Sequence, residues 1–175
     1  MRFVVIFAVI VLLASTVVVS AQNDKVDFSG EWVLNTDKSD TGQGPGGRRG
    51  GMSAFKLIIN QKENQLVVQA FRENRKGEEI TTELTYALDG EKSENTTLFG
   101  TQVSKVRWSK DGQSLHISST LTMSRGEREF TMESDETWTL DKGTLIIETT
   151  RSTPRGEMKS KAVYDSVEKT KIEKK

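Results

Sequence analysis

The chain contains no cysteine, a single histidine and only two prolines among its 175 residues. The absence of cysteine excludes disulfides, thiolate metal sites and thiol nucleophiles. The single histidine, His116, has no second His or Cys with which to form a zinc site or a catalytic triad, and no Gly-x-Ser-x-Gly motif occurs. The sequence therefore predicts no catalytic residue, no metal site and no cofactor.

Net charge is also lacking, since 25 Lys and Arg residues face 25 Asp and Glu residues. A balanced surface exerts no bulk attraction on nucleic acid or on an anionic membrane. We therefore expect no nucleic-acid partner.

The first 21 residues have the composition of a secretory signal peptide. Arg2 precedes an apolar run over 3–14, and the small residues Val19 and Ala21 stand before a plausible cleavage site. An uncleaved anchor is the alternative, because the whole run nearly reaches the length of a bilayer span. We predict a secreted or periplasmic protein with no stable membrane insertion after cleavage. The remaining residues, 22–175, have the length of a single domain.

From Phe28 onward, apolar and polar residues alternate in short runs, without a helical period. Gly-containing turn sequences separate the runs, as expected for a meander of antiparallel strands. The predicted strands are 28–35, 53–60, 65–73, 79–88, 101–109, 113–124, 128–140, 144–153 and 157–167. A sheet of about nine strands avoids exposed edges by closing on itself, so we predict an all-β, up-and-down barrel.

An internal repeat aligns residues 108–127 with 138–157 without a gap. Both copies end in Arg-Gly-Glu, and a weaker third copy ends in Lys-Gly-Glu at 76–78. Glycine allows the positive φ of a tight turn, and charged neighbours suit an exposed tip. We interpret these tripeptides as hairpin turns, with a repeated binding epitope as the alternative.

Alternation gives the predicted sheet one apolar and one polar face. Small or polar residues interrupt the apolar face at Ala70, Thr82, Ser119, Ser134, Thr149, Ser160 and Ala162. These side chains leave room for an internal cavity, although large neighbours opposite them could equally fill the core. A membrane barrel with its apolar face outside is a further alternative, which the compact, aromatic-rich apolar set disfavours.

Residues 36–51 form a Gly-rich segment with six glycines and no apolar residue. Such a segment cannot bury enough apolar surface to order itself. The sequence that follows predicts a strand rather than the helix of a phosphate-binding loop. We therefore predict a flexible loop, and the alternative is a mobile lid over the mouth of the barrel.

Few ionisable residues are candidates for catalysis or cation binding. His116 lies on the polar face, and Glu133 and Asp135 share that face, where they could hold a cation only loosely. Glu136 is predicted to point to the apolar side near Trp138, where it needs a partner such as an arginine. An enzyme would have to use an interior acid of this kind with a shifted pKa.

The stretch FSGEWVLN places Gly30 and Trp32 at the start of the first predicted strand. A Gly-x-Trp at this place resembles the lipocalin-like, or calycin, barrels. The resemblance implies that Trp32 closes one barrel end, with Arg107 or Arg151 as its packing partner. Most of the chain after the signal peptide is also similar to small secreted bacterial proteins of uncharacterised function. The chain differs from lipocalins in lacking a disulfide, and from fatty-acid-binding proteins in carrying the Gly-rich segment where they have two helices.

We predict that the barrel binds a small apolar or amphipathic molecule in its interior by burying apolar surface. The predicted ligand-binding residues are Trp32, Phe55, Leu57, Leu84, Tyr86, Trp108, Leu121, Met123, Met132, Glu136 and Tyr164. The alternative is an interaction or structural module with a filled core, acting through its polar outer face. An enzyme is the third hypothesis, and the oligomeric state stays open.

Overall fold

The computed structural model describes residues 25–40, 53–74, 76–126, 128–153 and 156–167. The predicted signal peptide and most of the Gly-rich segment lie outside these residues. In the described part of the chain, no helix has the length and apolar character needed to cross a membrane.

Ten antiparallel strands form one sheet within the described residues. The strands are β1 (Gly30–Leu34), β2 (Lys56–Lys62), β3 (Gln65–Glu73), β4 (Glu79–Ala87), β5 (Lys92–Thr97), β6 (Gly100–Trp108), β7 (Ser114–Arg125), β8 (Arg128–Asp141), β9 (Thr144–Thr153) and β10 (Gly156–Ser166). Their order in the sheet is β4-β3-β2-β1-β10-β9-β8-β7-β6-β5. Strands that are neighbours in the chain pair with each other except β4 and β5, which stand at the two ends of this order, and β1 also pairs with β10. This arrangement confirms the predicted up-and-down barrel.

All nine predicted strands are present, and β5 is a tenth that the prediction missed. Its sequence, KSENTT, carries no apolar residue, so the alternation that revealed the others is absent. Its inward positions hold Ser93, Asn95 and Thr97, of which Asn95 is buried.

Side chains of β5 join it to β4 where the two ends of the sheet meet. The Asn95 amide donates to the Thr85 carbonyl oxygen at 3.0 Å, and its oxygen accepts from the Thr85 N–H at 2.8 Å. The Ser93 hydroxyl accepts from the Ala87 N–H at 2.7 Å. These contacts complete a nearly closed barrel, and we call them the β4–β5 seam.

Aromatic packing fills the end of the barrel at which residues 25–29 lie, which we call the closed end. Phe28 is fully buried, stacks on Trp108 with ring centroids 6.0 Å apart, and meets Trp138 edge-on at 6.1 Å. The Trp32 indole N–H donates to the Phe28 carbonyl oxygen at 3.0 Å. The N-terminal segment is held across this end by the Val26 N–H, which donates to the Gly112 carbonyl oxygen at 2.9 Å.

The opposite, or open, end carries two turns of the repeated tripeptides within the described residues. Gly77, between β3 and β4, and Gly126, between β7 and β8, have φ values of 79° and 63°. A Cβ built on either glycine would meet nothing within 4 Å, so both turns project from the barrel. The hairpin-turn interpretation is confirmed at these two sites. The third turn includes residues 154 and 155, which lie outside the described ranges.

Candidate functional site

The open half of the barrel contains a cavity of about 200 Å³. Leu84, Leu121 and Met132 give it apolar walls, and Gln102 and Ser119 give it polar ones. Phe99, at the tip of the β5–β6 turn, also lines it and is 68% exposed, so the cavity reaches the surface at the open end. We call it the outer cavity.

A charged cluster forms the floor of the outer cavity, and its members come from three strands. Arg72 lies on β3, Glu136 on β8 and Arg151 on β9, and all three are half-buried. Ser134 pairs with Arg151 across the β8–β9 ladder, which makes Glu136 a diagonal neighbour of Arg151 on the same face. The Glu136 carboxylate is held in place by the Trp138 indole N–H, which donates to it at 2.8 Å.

The same cluster borders an inner cavity of about 70 Å³ towards the closed end. Arg72, Tyr86, Glu136 and Arg151 line both spaces. The charged cluster therefore separates the packed half of the barrel from its open half.

Electrostatic effects within the cluster show in two neighbouring groups. Burial lowers the pKa of the Arg151 guanidinium, Glu136 opposes this shift, and the positive charge of Arg72 adds to it. Burial also raises the pKa of the Tyr86 phenol well above its usual range, and the Glu136 carboxylate adds to that increase. In both groups burial is the main cause of the pKa shift, and the charges of Glu136 and Arg72 contribute less.

The structure brings together seven of the eleven predicted ligand-binding residues. Leu84, Tyr86, Leu121, Met132 and Glu136 line the outer cavity. Leu57 and Tyr164 line the inner one. The sequence predicted that Glu136 points to the interior beside Trp138 and needs an arginine as partner. The structure places Glu136 in the interior, bonded to Trp138 and next to Arg151.

The other four predicted residues lie elsewhere. Trp32 belongs to the packed core in the closed half of the barrel, and Trp108 packs against that core. Met123 is half-buried near the open end and does not line either cavity. The interior position predicted for Phe55 is wrong, because this side chain is 36% exposed. β2 begins only at Lys56, so Phe55 lies outside the regular alternation that its assignment assumed.

The small residues predicted to interrupt the apolar face do line the cavities. Thr82, Ser119 and Ser134 border the outer cavity. Ala70, Thr149, Ser160 and Ala162 border the inner one. The prediction missed Arg72, although Arg72 continues the inward series of Leu66, Val68 and Ala70 along β3. Arg151, considered as a partner of Trp32, likewise continues the inward series of β9, whereas Arg107 is exposed.

The polar outer face has a groove of about 400 Å³ beside Asp40, where a short bridge joins Asp40 to Lys161. Asp135, Glu148 and Lys159 line this groove together with threonines. As predicted, His116 lies on the outer face. Its ring Nδ1 lies 3.1 Å from the Thr137 hydroxyl. Within the described ranges, no group of three or more His, Asp or Glu side chains is arranged to hold a metal ion.

No protein-family model and no curated protein matches the sequence. A solved structure that does match is zebrafish ileal bile acid-binding protein complexed with cholic acid. The match has a TM-score of 0.51 at 16% identity and covers 80% of this chain and 98% of that chain. The likeness shows the fold alone: the described residues form an all-β, ten-stranded, nearly closed antiparallel barrel with a calycin-like fold, as in that structure.

Proposed function

We propose that the protein is an exported binder that holds a small apolar or amphipathic molecule inside its barrel. The observation that carries this proposal is the outer cavity, which is open to solvent and has both apolar and polar walls. Ligand sites in proteins share this composition, with apolar surface for affinity and a few placed polar groups for orientation. The signal-like residues 1–21 support export.

The same geometry supports binding without covalent chemistry. Glu136 is the one interior carboxylate among the described cavity-lining residues, and its Trp138 hydrogen bond and neighbouring arginines suit a carboxylate held in place. The zebrafish neighbour is itself a bile acid-binding protein. We therefore place binding ahead of catalysis for this chain.

Calorimetric titration with 1-octanol tests the proposal. We expect saturable binding to the native sequence and at least about a tenfold loss in Leu121→Trp, because the larger side chain occupies the cavity. Val33→Trp is the matched control, since Val33 lies on β1 and is 43% exposed. A Leu121→Trp protein that melts normally and binds 1-octanol as well as the control would contradict the proposal.

A second measurement covers the case in which Leu121→Trp does not fold. Amide NMR spectra of the native sequence should shift near Leu84 and Met132 as 1-octanol is added, and should stay unchanged near His116 and Thr137. Shifts confined to the outer face would contradict an interior site.

The outer groove supports a second candidate function, that of an interaction module acting through the polar face. Its row of Asp135, Glu148 and Lys159 offers charges of both signs to a polar partner. If this function is correct, charge reversal at Glu148 and Lys159 should abolish association with that partner, while Leu121→Trp should leave it intact. The opposite pattern would exclude the outer groove.

A further inference from the structure

A hydrogen-bonded cluster on β6 and β7 faces the outer cavity. The Gln102 Nε2 donates to the Ser104 hydroxyl at 3.2 Å and to the Ser119 hydroxyl at 3.4 Å. The two hydroxyl oxygens lie 2.8 Å apart and share a third hydrogen bond. Gln102 and Ser119 line the outer cavity, whereas Ser104 is 1% exposed and lines neither cavity. We call these three residues the amide–serine cluster.

The hydrogens available in the amide–serine cluster fix the orientation of the Gln102 amide. A glutamine amide supplies two hydrogens from its NH₂ group, and each serine hydroxyl supplies one. With Nε2 towards the serines, all three contacts are made and one hydroxyl hydrogen is left over. With the amide turned over, the two hydroxyl hydrogens would have to serve three contacts. The amide oxygen, Oε1, therefore accepts from neither serine.

The remaining hydrogen belongs to Ser119. Because Ser104 is buried and lines neither cavity, its O–H donates within the cluster, to the Ser119 oxygen. The Ser119 O–H then has no acceptor among the described residues and is available to the outer cavity, which Ser119 lines. The Gln102 Oε1 can accept two hydrogen bonds. The Tyr86 phenol contacts the same amide group, and its one O–H hydrogen fills at most one of these two positions. The amide–serine cluster therefore presents one donor and one acceptor to the cavity.

We propose that the ligand is a neutral alcohol whose hydroxyl group lies between Gln102 and Ser119. This inference rests on the proposed function and adds the ligand's polar group and its place in the cavity. The ligand hydroxyl donates to the Gln102 oxygen and accepts from the Ser119 hydroxyl, so both groups gain a partner. The apolar chain of the ligand lies against the apolar walls of the cavity, which are Leu84, Leu121 and Met132.

Other polar groups match the amide–serine cluster less well. A carboxylate or an ether oxygen accepts but does not donate, and an ammonium donates but does not accept. Each would leave either the Gln102 oxygen or the Ser119 hydroxyl without a partner, and leaving a polar group unpaired away from water is unfavourable. A ligand that displaces water from these groups without replacing its hydrogen bonds loses affinity. The cluster therefore selects a ligand by its hydrogen-bonding groups.

The volume of the site limits the size of this ligand. The outer cavity measures about 200 Å³, below the range of roughly 300–1,000 Å³ that holds drug-sized ligands. A hydroxyl is the smallest organic group that both donates and accepts, and a short, flexible chain suits the space better than a rigid polycyclic body. We therefore expect a short-chain alcohol.

The test compares two isomers: 1-octanol, which donates and accepts, and methyl heptyl ether, which only accepts. In calorimetric titrations of the native sequence, 1-octanol should bind about tenfold more tightly, because the ether leaves the Gln102 oxygen unpaired. If the ether binds as tightly as 1-octanol or more tightly, the alcohol proposal is overturned and the proposed function survives. If neither isomer binds, both are overturned.

Two pairs of variants locate the ligand hydroxyl. Gln102→Met should remove most of the preference for 1-octanol and leave binding of the ether nearly unchanged, whereas Gln69→Met, at an exposed hydrogen bond on β3, should change neither. Ser119→Ala should weaken both isomers by a similar factor of about three, because both accept from its hydroxyl. Ser118→Ala, at the exposed neighbouring position of β7, should weaken neither.

The ratio of the two affinities separates recognition from a structural role. A merely structural role of Gln102 would change the melting temperature but not the preference between isomers. A folded Gln102→Met protein that keeps the full preference for 1-octanol would overturn the proposal. Where a thermal melt shows that a variant is unfolded, the comparison of the two isomers on the native sequence decides alone.

Discussion

Replacing Asn95 with alanine should destabilise the barrel at the β4–β5 seam. The Asn95 side chain makes two hydrogen bonds to the backbone of Thr85, as donor at 3.0 Å and as acceptor at 2.8 Å. Each bond contributes about 0.5–1.5 kcal/mol net, and each buried group left without a partner costs about 1–3 kcal/mol. Because Thr85 is half-buried, water can reach part of its backbone. We therefore expect a loss of about 2–4 kcal/mol in the free energy of unfolding.

Thermal unfolding followed by circular dichroism measures this loss. For a chain of this size, about 2–4 °C in Tm corresponds to each kcal/mol, so Asn95→Ala should lower Tm by roughly 5–15 °C. Thr96→Ala is the matched control, since Thr96 is the next residue of β5 and faces solvent; its effect should stay within about 0.5 kcal/mol. Hydrogen exchange in Asn95→Ala should accelerate first in β4 and β5. If the two variants melt at the same temperature, the seam does not depend on Asn95 and the reasoning fails.

Three further perturbations test other parts of the structure. The chain has two tyrosines, Tyr86 and Tyr164, and burial raises the pKa of both; tyrosinate absorbance should therefore be absent in the folded protein at pH 11 and should appear near pH 10 on unfolding. Because the pKa of these phenols is higher in the folded than in the unfolded protein, the stability that depends on keeping them protonated is present below about pH 10 and is lost as the pH rises above it. Tyrosinate in the folded protein at pH 10 would contradict the burial of the two side chains. Gly100→Ala should cost about 2 kcal/mol or more, because its Cβ would lie 1.9 Å from the Thr122 carbonyl oxygen, whereas Gly126→Ala in its open turn should cost only about 1 kcal/mol; equal losses in urea unfolding would refute the close approach. Phe28→Ala should cost about 3–5 kcal/mol through the cavity that it leaves at the closed end, against at most about 1 kcal/mol for Phe130→Ala, whose ring is 47% exposed; similar losses would show that Phe28 does not close the barrel.

Alternation made most of the fold predictable from the sequence. It located nine strands because each carries apolar residues on its inward face. It missed β5 because Ser93, Asn95 and Thr97 take the inward positions there. These residues bond to the backbone of β4 and to the β5–β6 turn instead of packing in the core. Such pairing depends on how the sheet closes, which local sequence does not reveal.

The candidate site was predictable in its apolar part and less so in its charged part. The alternation of inward and outward side chains along each strand predicts interior positions for Leu84, Leu121 and Met132, and also for Glu136. The same alternation gives Arg72 an inward position on β3, but a charged residue near the end of a strand is more often exposed to solvent. Only the barrel geometry places Arg72 and Arg151, from distant strands, on the floor of one cavity.

The measurement that tests the central claim most directly is a native mass spectrum of the protein isolated from its own host, recorded under gentle and then under denaturing conditions. The account predicts a discrete additional mass that is lost on unfolding and that belongs to a small apolar or amphipathic molecule. A bare polypeptide mass under gentle conditions, together with no binding of 1-octanol, would contradict the interior binding site.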